Sequence, residues 1–336
     1  MPHPVLFLTD RAVRHQQQAL VAAPVALSVT IRRRPNAAEL ATLLPTAEFI
    51  VSERSETVSA AMIAQAPNLR LIVRLGSLPV GIDLAAAHAA GVRVTMQSVL
   101  STSFVAEHVL MLALAVIKRA SRSFWLTAHA EPGQAARRTD EDTFAFNWLK
   151  LDGIGGLYGR SIAIIGMGEI GVELARRLRP FRPAEVRYHK RTPYPPAIEQ
   201  ALGLQAASLT DCVQHADLVI VLLPCAAETD QVFNADLIGQ MRRGAYLVGA
   251  GSGSVIDERA LIDALQRGHL AGAALDTYEY EPLPADHPLR VIARDPFSNL
   301  LLTPHVAAVG GGSRAADYDE ISRFLAGEPL QHELAL

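Results

Sequence analysis

The chain predicts an α/β protein of two domains, one of them a doubly wound parallel sheet, and three observations carry that prediction. Its 336 residues exceed what one hydrophobic core usually organises, so two domains of roughly 100 to 200 residues are expected. Short apolar runs rich in branched residues alternate with helical patterns from the N-terminal end onward, as parallel strands joined by crossover helices require. Between one such run and an amphipathic stretch stands Gly166-Met167-Gly168-Glu169-Ile170-Gly171, three glycines in the spacing GxGxxG.

Residues 5–9, 26–31, 48–51, 71–74 and 92–95 read as the strands of a first unit. The helical segments between them are 12–20, 36–44, 59–65 and 83–90, the second opened by Asn36 as an N-cap. A long helix over 103–120 follows, with Val105, Val109, Leu110, Leu112, Ala113 and Val116 on a broad apolar face. Residues 131–142 are polar, contain a Pro-Gly pair and lack a period, and read as an exposed loop. A second series of six strands covers 161–165, 185–189, 218–222, 245–248, 272–275 and 299–302, the pattern of a Rossmann-type sheet. The residues after Pro304, with an amphipathic piece at 319–325, are too few for a third domain and are expected to pack back onto the first.

Composition excludes several classes of function. Hydrophobic residues make up 50% and charged residues 19%, which suits a compact globular protein rather than a disordered or fibrous one. The net charge is −3 and the basic clusters at 32–34 and 176–179 are short solvated faces, so no stripe invites a nucleic acid. Cys212 and Cys225 are the only cysteines and lack metal-ligand spacing. Neither a disulfide framework nor a metal site is therefore expected, and a reducing cytoplasmic setting is. No signal-peptide pattern opens the sequence, and the longest strongly apolar run, 109–117, is about half of a membrane span. No membrane partner is expected.

The glycine motif sits in the context that gives it meaning. Gly166 permits a tight turn, Gly168 lets the backbone approach a pyrophosphate, and Gly171 lets helix and strand pack closely, with the helix N-terminus facing the phosphates. A nicotinamide dinucleotide is the expected cofactor. About twenty residues on, an acidic side chain would accept hydrogen bonds from the adenosine ribose. The segment there is Tyr188-His189-Lys190-Arg191-Thr192. Two cations and an imidazole suit a 2′-phosphate, so NADP is favoured over NAD; the alternative is that Lys190 and Arg191 form a solvated loop.

Four segments, Val105-Ala-Glu-His108, Gly166 to Gly171, Gly268-His-Leu-Ala-Gly-Ala-Ala-Leu-Asp276-Thr-Tyr-Glu-Tyr-Glu281-Pro and Leu302-Thr-Pro-His305, together resemble the D-isomer-specific 2-hydroxyacid dehydrogenase family, which includes glyoxylate and hydroxypyruvate reductases. The resemblance covers nearly the whole chain. It implies a smaller, flavodoxin-like α/β substrate domain from residues 1–100 and 304–336 around a dinucleotide-binding domain at 101–303. It further implies that His305 exchanges the proton on the substrate oxygen and that Glu281 raises its basicity and orients it. Met167, Glu169, Ile170, Pro224, Thr229, Gly251, Asp276 and His305 fall at its cofactor-contacting positions. The helix at 103–120 resembles the family's dimerisation helix, so a homodimer is expected, the alternative being an ordinary buried helix. The chemistry stands apart from the family name: reducing a carbonyl by hydride puts negative charge on its oxygen, and an acid with a pKa near neutrality within hydrogen-bond reach lowers the barrier.

The chain departs from the family pattern on the substrate side. An Arg is expected after the strand at 245–248, but the sequence reads Gly249-Ala-Gly-Ser252-Gly253, with Val255-Ile-Asp257 securing the register. Ser252 thus stands where relatives keep a guanidinium that grips the substrate. A bidentate permanent charge becomes one neutral hydrogen bond, a loss of about 3 kcal/mol or more of transition-state stabilisation. The loop implied to hold the substrate carboxylate, Arg74-Leu-Gly76-Ser77-Leu78-Pro79, carries a proline without an amide hydrogen. Ser101 also replaces a common Asn. Three explanations fit: Arg74 or Arg314 substitutes from another backbone position, the substrate lacks a carboxylate, or the chain binds the dinucleotide with little catalysis. A reductase of the hydroxyacid type ranks first, a nicotinamide-responsive regulatory protein second, and a redox enzyme of another substrate class third.

Overall fold

The computed structural model describes residues 1–54, 57–309 and 314–334. The described chain falls into two compact units, residues 1–103 with 314–334, and Phe104–Val309.

The first unit alternates strand and helix: β1 (His3–Thr9), α1 (Val13–Val21), β2 (Leu27–Arg32), α2 (Ala37–Leu43), β3 (Phe49–Glu53), α3 (Ala60–Ala64), β4 (Leu71–Leu75), α4 (Leu84–Ala89) and β5 (Arg93–Gln97). All neighbours pair in parallel, in the order β2-β1-β3-β4-β5. Central strands of such a sheet are covered on both faces and so run apolar without alternation, as the wholly buried Leu71–Leu75 does. Asn36 caps α2 with a reciprocal pair: its side chain accepts from the Glu39 amide at 3.0 Å, and its own amide donates to the Glu39 carboxylate at 2.9 Å. The C-terminal segment returns to this unit, where Tyr318 and Ile321 are buried in the same cluster as Phe7 and Phe49. The Met96 amide donates to the His332 carbonyl at 2.9 Å.

A buried charge network sits at the carboxyl ends of β1 and β3. Glu53, 1% exposed, meets Arg11 at 2.6 Å and Arg314 at 3.0 Å, and Thr9 donates its hydroxyl at 2.9 Å. Arg314 also reaches Asp317 at 2.6 Å.

Next come α5 (Leu100–Ile117) and α6 (Ala120–His129), where the sequence predicts one helix over 103–120. The break lies at Arg119, whose φ is +50°. The last α5 carbonyls are taken from outside the helix, Ile117 by the Gly155 amide at 3.1 Å and Val116 by the Asn299 side chain at 3.1 Å. α5 is also long and apolar enough, by length and composition, to cross a membrane, unlike the shorter run seen in the sequence. Its Val109, Leu112, Ala113, Val116 and Ile117 are buried within the protein.

The second unit continues with β6 (Ser161–Ile165), α7 (Glu169–Leu178), β7 (Glu185–His189), α8 (Pro196–Leu202), β8 (Gln205–Ala206), α9 (Leu209–His215), β9 (Leu218–Val221), α10 (Ala235–Gly239), β10 (Tyr246–Gly249), α11 (Glu258–Gln266), β11 (Gly272–Leu275), α12 (Pro288–Ala293) and β12 (Leu300–Leu302), before α13 (Asp319–Ala326) in the first unit. The sheet is parallel in the order β12-β11-β10-β9-β6-β7-β8, seven strands where the sequence predicts six. The extra strand, β8, pairs with β7 through only two residues, too few for any periodicity to announce. The winding direction reverses between β6 and β9, and in open α/β sheets ligands bind at that switch point, beyond the carboxyl ends of the strands.

The boundary expected at 304 shifts to 309. The buried Asp276 carboxylate accepts from the Val306 amide at 3.0 Å and the Ala307 amide at 3.1 Å, tying this segment to β11.

Candidate active site

At the switch point, the three motif glycines meet three different constraints. Gly166 has a φ of +101°, and a β-carbon there would lie 2.7 Å from the Leu222 carbonyl carbon. At Gly171 a β-carbon would lie 2.8 Å from the Met167 sulfur and 3.2 Å from the Gly166 carbonyl oxygen, so helix and strand could not pack as they do. At Gly168 it would meet nothing within 4 Å. Gly168 is also the N-cap of α7 and offers no side chain to the first amides of that helix. The open space at the Gly168 β-carbon position is what a diphosphate requires of the turn. Two glycines are therefore needed by the fold, whereas at Gly168 the fold itself leaves room for a side chain. Gly168→Ala is expected to leave the melting temperature unchanged and to weaken dinucleotide binding by about tenfold or more in a fluorescence titration, whereas Gly166→Ala destabilises the protein itself.

Around the turn, Tyr194 donates its hydroxyl to the Met167 carbonyl at 3.0 Å. Glu169 and Ile170 form the first turn of α7. Past β9, the Thr229 hydroxyl donates to the Pro224 carbonyl at 2.7 Å and accepts from the Ala226 amide at 3.0 Å, closing the 224–229 loop. At the end of β7, His189 Nδ1 lies 3.2 Å from the Ala207 carbonyl. Lys190 donates to the Thr192 carbonyl at 3.1 Å and lies over the Tyr194 ring at 4.8 Å; burial, with Arg191 beside it, holds its pKa below the usual lysine value. Arg191 is exposed and faces Glu228 at 3.6 Å. Glu228 is the nearby carboxylate that reading the strand end alone did not bring to light.

His305 and Glu281 come together as the family resemblance implies. Nδ1 of His305 lies 2.7 Å from Glu281 Oε2, and the other carboxylate oxygen accepts the Tyr278 amide at 3.0 Å. The imidazole is carried on a backbone with φ +52°, anchored by the buried Asp276, which also accepts the Thr303 hydroxyl at 2.6 Å. His108, part of the Val-Ala-Glu-His segment, completes this network, its Nε2 3.0 Å from Thr303 Oγ1 and 3.4 Å from Asp276. Asp276 thus holds the His305 segment in place. With Nδ1–H donated to Glu281, Nε2 is the ring atom left to exchange a proton.

His305 and Glu281 line a cleft of about 540 Å³ within this unit, with Pro282, Leu283, Leu302 and Arg290. The Arg290 guanidinium donates to the Leu283 carbonyl at 3.1 Å, and no carboxylate lies within ion-pair distance of it among the described residues. Sequence reasoning missed Arg290: fifteen positions separate it from His305, and only the return through α12 and β12 sets them in one cleft.

Ser252 lies in a loop of forced glycines. A β-carbon at Gly251 would press on Leu222 and Leu223, and one at Gly253 would overlap the Tyr278 backbone. The Ser252 amide donates to the Leu223 carbonyl at 2.8 Å, and its hydroxyl lies 3.4 Å from Ser254 Oγ.

In the first unit, Arg74 donates to the carbonyls of Val80 at 3.1 Å, Ser52 at 3.2 Å and Leu75 at 2.8 Å. It scaffolds the loop that holds Gly76, Ser77 and Leu78. The Gly76 amide donates to the Gln97 carbonyl at 2.8 Å, and the Ser77 hydroxyl lies 3.1 Å from that of Ser98. Arg314 is engaged by Glu53 and Asp317. Both cations weighed as replacements for the guanidinium expected at position 252 are thus engaged by partners in their own unit. Among the described residues, no group of three or more His, Cys, Asp or Glu side chains is placed to hold a metal.

Comparison with known proteins agrees with this geometry. Residues 126–307 match the D-isomer specific 2-hydroxyacid dehydrogenase, NAD binding domain. The chain is 31% identical to a glyoxylate/hydroxypyruvate reductase B of Citrobacter koseri, over 76% of this chain and 73% of that protein. It is 30% identical to a glyoxylate reductase of Thermococcus kodakarensis, over 83% and 79%. Among solved structures, the PH0520 protein of Pyrococcus horikoshii superposes with a TM-score of 0.58 at 25% identity, covering 99% of this chain and 95% of that one. The glycine turn at the sheet's switch point, the His305–Glu281 pair and these matches lead to one conclusion: the chain belongs to the D-isomer specific 2-hydroxyacid dehydrogenase family, oxidoreductases that pass a hydride between a nicotinamide cofactor and a hydroxy or oxo acid.

Proposed function

We propose that this protein is an NADPH-dependent reductase of 2-oxo acids, of the glyoxylate or hydroxypyruvate type or bulkier. The observation that carries the reading is the His305–Glu281 pair at 2.7 Å on the wall of a cleft in the dinucleotide-binding unit. A bound nicotinamide supplies the hydride. Glu281 holds the ring so that Nε2 presents the proton to the carbonyl oxygen as charge develops there. The uncapped amides of α7 hold the diphosphate. Lys190 and Arg191, at a strand end without its own carboxylate, support NADP over NAD; a 2′-phosphate would displace Glu228 from Arg191. Free thiols at Cys212 and Cys225 fit a reducing cytoplasm. Phe124, Trp125, Phe144 and Phe146 are exposed, large apolar side chains of the kind that a homodimer would cover.

The test is oxidation of NADPH and of NADH followed by absorbance, with glyoxylate, hydroxypyruvate, pyruvate and longer 2-oxo acids. Ser252→Arg supplies the guanidinium expected there from a backbone position that already carries a β-carbon. Turnover of short 2-oxo acids is expected to rise by about 10²-fold. Total inactivity of the wild type with every acid, alongside intact NADPH binding, would replace this reading with a regulatory one.

A further inference from the structure

The substitution at 252 leaves the site short of a cation, and the structure shows where one stands. We infer that Arg290 is the specificity-determining cation of the His305 cleft, and that the substrate it selects is a 2-oxo acid carrying a second anionic group. The inference rests on the hydride-transfer reading above and extends it to substrate class.

Three features converge. Arg290 lines the same cleft as His305 and Glu281, while Arg74 and Arg314 are held by groups of the first unit. Its guanidinium is steadied by the Leu283 carbonyl at 3.1 Å, which leaves most of a planar five-donor fork to meet a carboxylate or phosphate. Glu281 is paired with His305 and accepts the Tyr278 amide, and it makes no ion pair with Arg290.

The cleft also has room for an acid longer than glyoxylate. Water occupies about 30 Å³ per molecule, so glyoxylate would fill only a small part of about 540 Å³. Pro282, Leu283, Leu302 and Pro304 supply apolar wall, suited to a short methylene chain. An occupant with its oxo group at His305 and an anion at Arg290 uses both polar ends and the apolar middle.

Two measurements test this. Steady-state kinetics of wild type, Arg290→Gln and Arg290→Lys compare 2-oxoglutarate with 2-oxopentanoate, which lacks the distal carboxylate. Calorimetry titrates glutarate, and butyrate as the monoanionic control, into the NADPH-loaded proteins. In Arg290→Gln, the KM for 2-oxoglutarate is expected to rise by about 10- to 100-fold more than that for 2-oxopentanoate, with partial recovery in Arg290→Lys. Glutarate binding is expected in the wild type and lost in Arg290→Gln. An equal rise for both acids, glutarate binding unchanged by Arg290→Gln, or no glutarate binding to the wild type overturns the inference. If no oxo acid is turned over, the reductase reading fails, and the calorimetric contrast still decides the role of Arg290. The side chain is exposed, so the variants are expected to keep the wild-type melting temperature, checked by circular dichroism.

Discussion

His305→Gln is expected to lower kcat by about 10²- to 10⁴-fold while dinucleotide binding is retained. The amide cannot exchange a proton near neutrality, yet it fills similar space and leaves the glycine turn untouched. Glu281→Gln probes the same step from behind. Its amide can offer an N–H to Nδ1 in place of the oxygen 2.7 Å away. That would turn the ring to the tautomer with Nδ1 as acceptor and Nε2 already protonated, so reduction and oxidation should suffer unequally. In a hydrolytic triad the equivalent change costs about 10⁴-fold. Pre-steady-state absorbance at 340 nm in both directions, with NADPH and then NADP, reads the effect. Unchanged turnover in His305→Gln would show that another group carries the proton.

The largest expected effect on stability lies in the first unit, at Glu53→Gln. Arg11 and Arg314, with side chains 16% and 12% exposed, would face each other without their shared carboxylate. Removing one partner of a buried ion pair costs about 3 to 5 kcal/mol, which corresponds to a fall in melting temperature of roughly 10 °C. The pH dependence adds a second readout. Burial raises the Glu53 pKa, but Arg11, Arg314 and the Thr9 hydroxyl outweigh it and hold it below 4.5. A depressed folded-state pKa contributes stability above the unfolded value and loses it as pH falls through the folded one. Wild type should therefore weaken on acidification below pH 4.5, and Glu53→Gln should lack that component. Asp317 works in the opposite sense. Burial raises it from 3.8 to about 6 despite Arg314, so its contribution is present below 3.8 and is lost as pH rises towards 6. Thermal melts between pH 3 and 7 separate the two.

Much of the fold was legible because its signals are local. β6, β7 and β11 fall where apolar runs put them, and Asn36 caps α2 through contacts only three residues apart. Gly166, Gly168 and Gly171 could be assigned separate roles because a tight turn, an approaching ligand and a packed helix each exclude a side chain by local geometry. Where the sequence reading failed, distant chain decided: Arg119 breaks the predicted helix where residues 153–155 cross its end.

By itself, then, the sequence determined two α/β units and the dinucleotide turn, since covalent spacing and side-chain periodicity suffice for these, while the pairing of His305 with Glu281 followed only from the resemblance of its motifs to a known family. The tertiary structure alone decided that Arg74 and Arg314 serve their own unit, that Asp276 and His108 hold the His305 segment, and that Arg290 shares the cleft of His305. Such facts depend on which carbonyls and carboxylates the folded chain brings within about 3 Å of a charge, and no spacing along the chain encodes that distance.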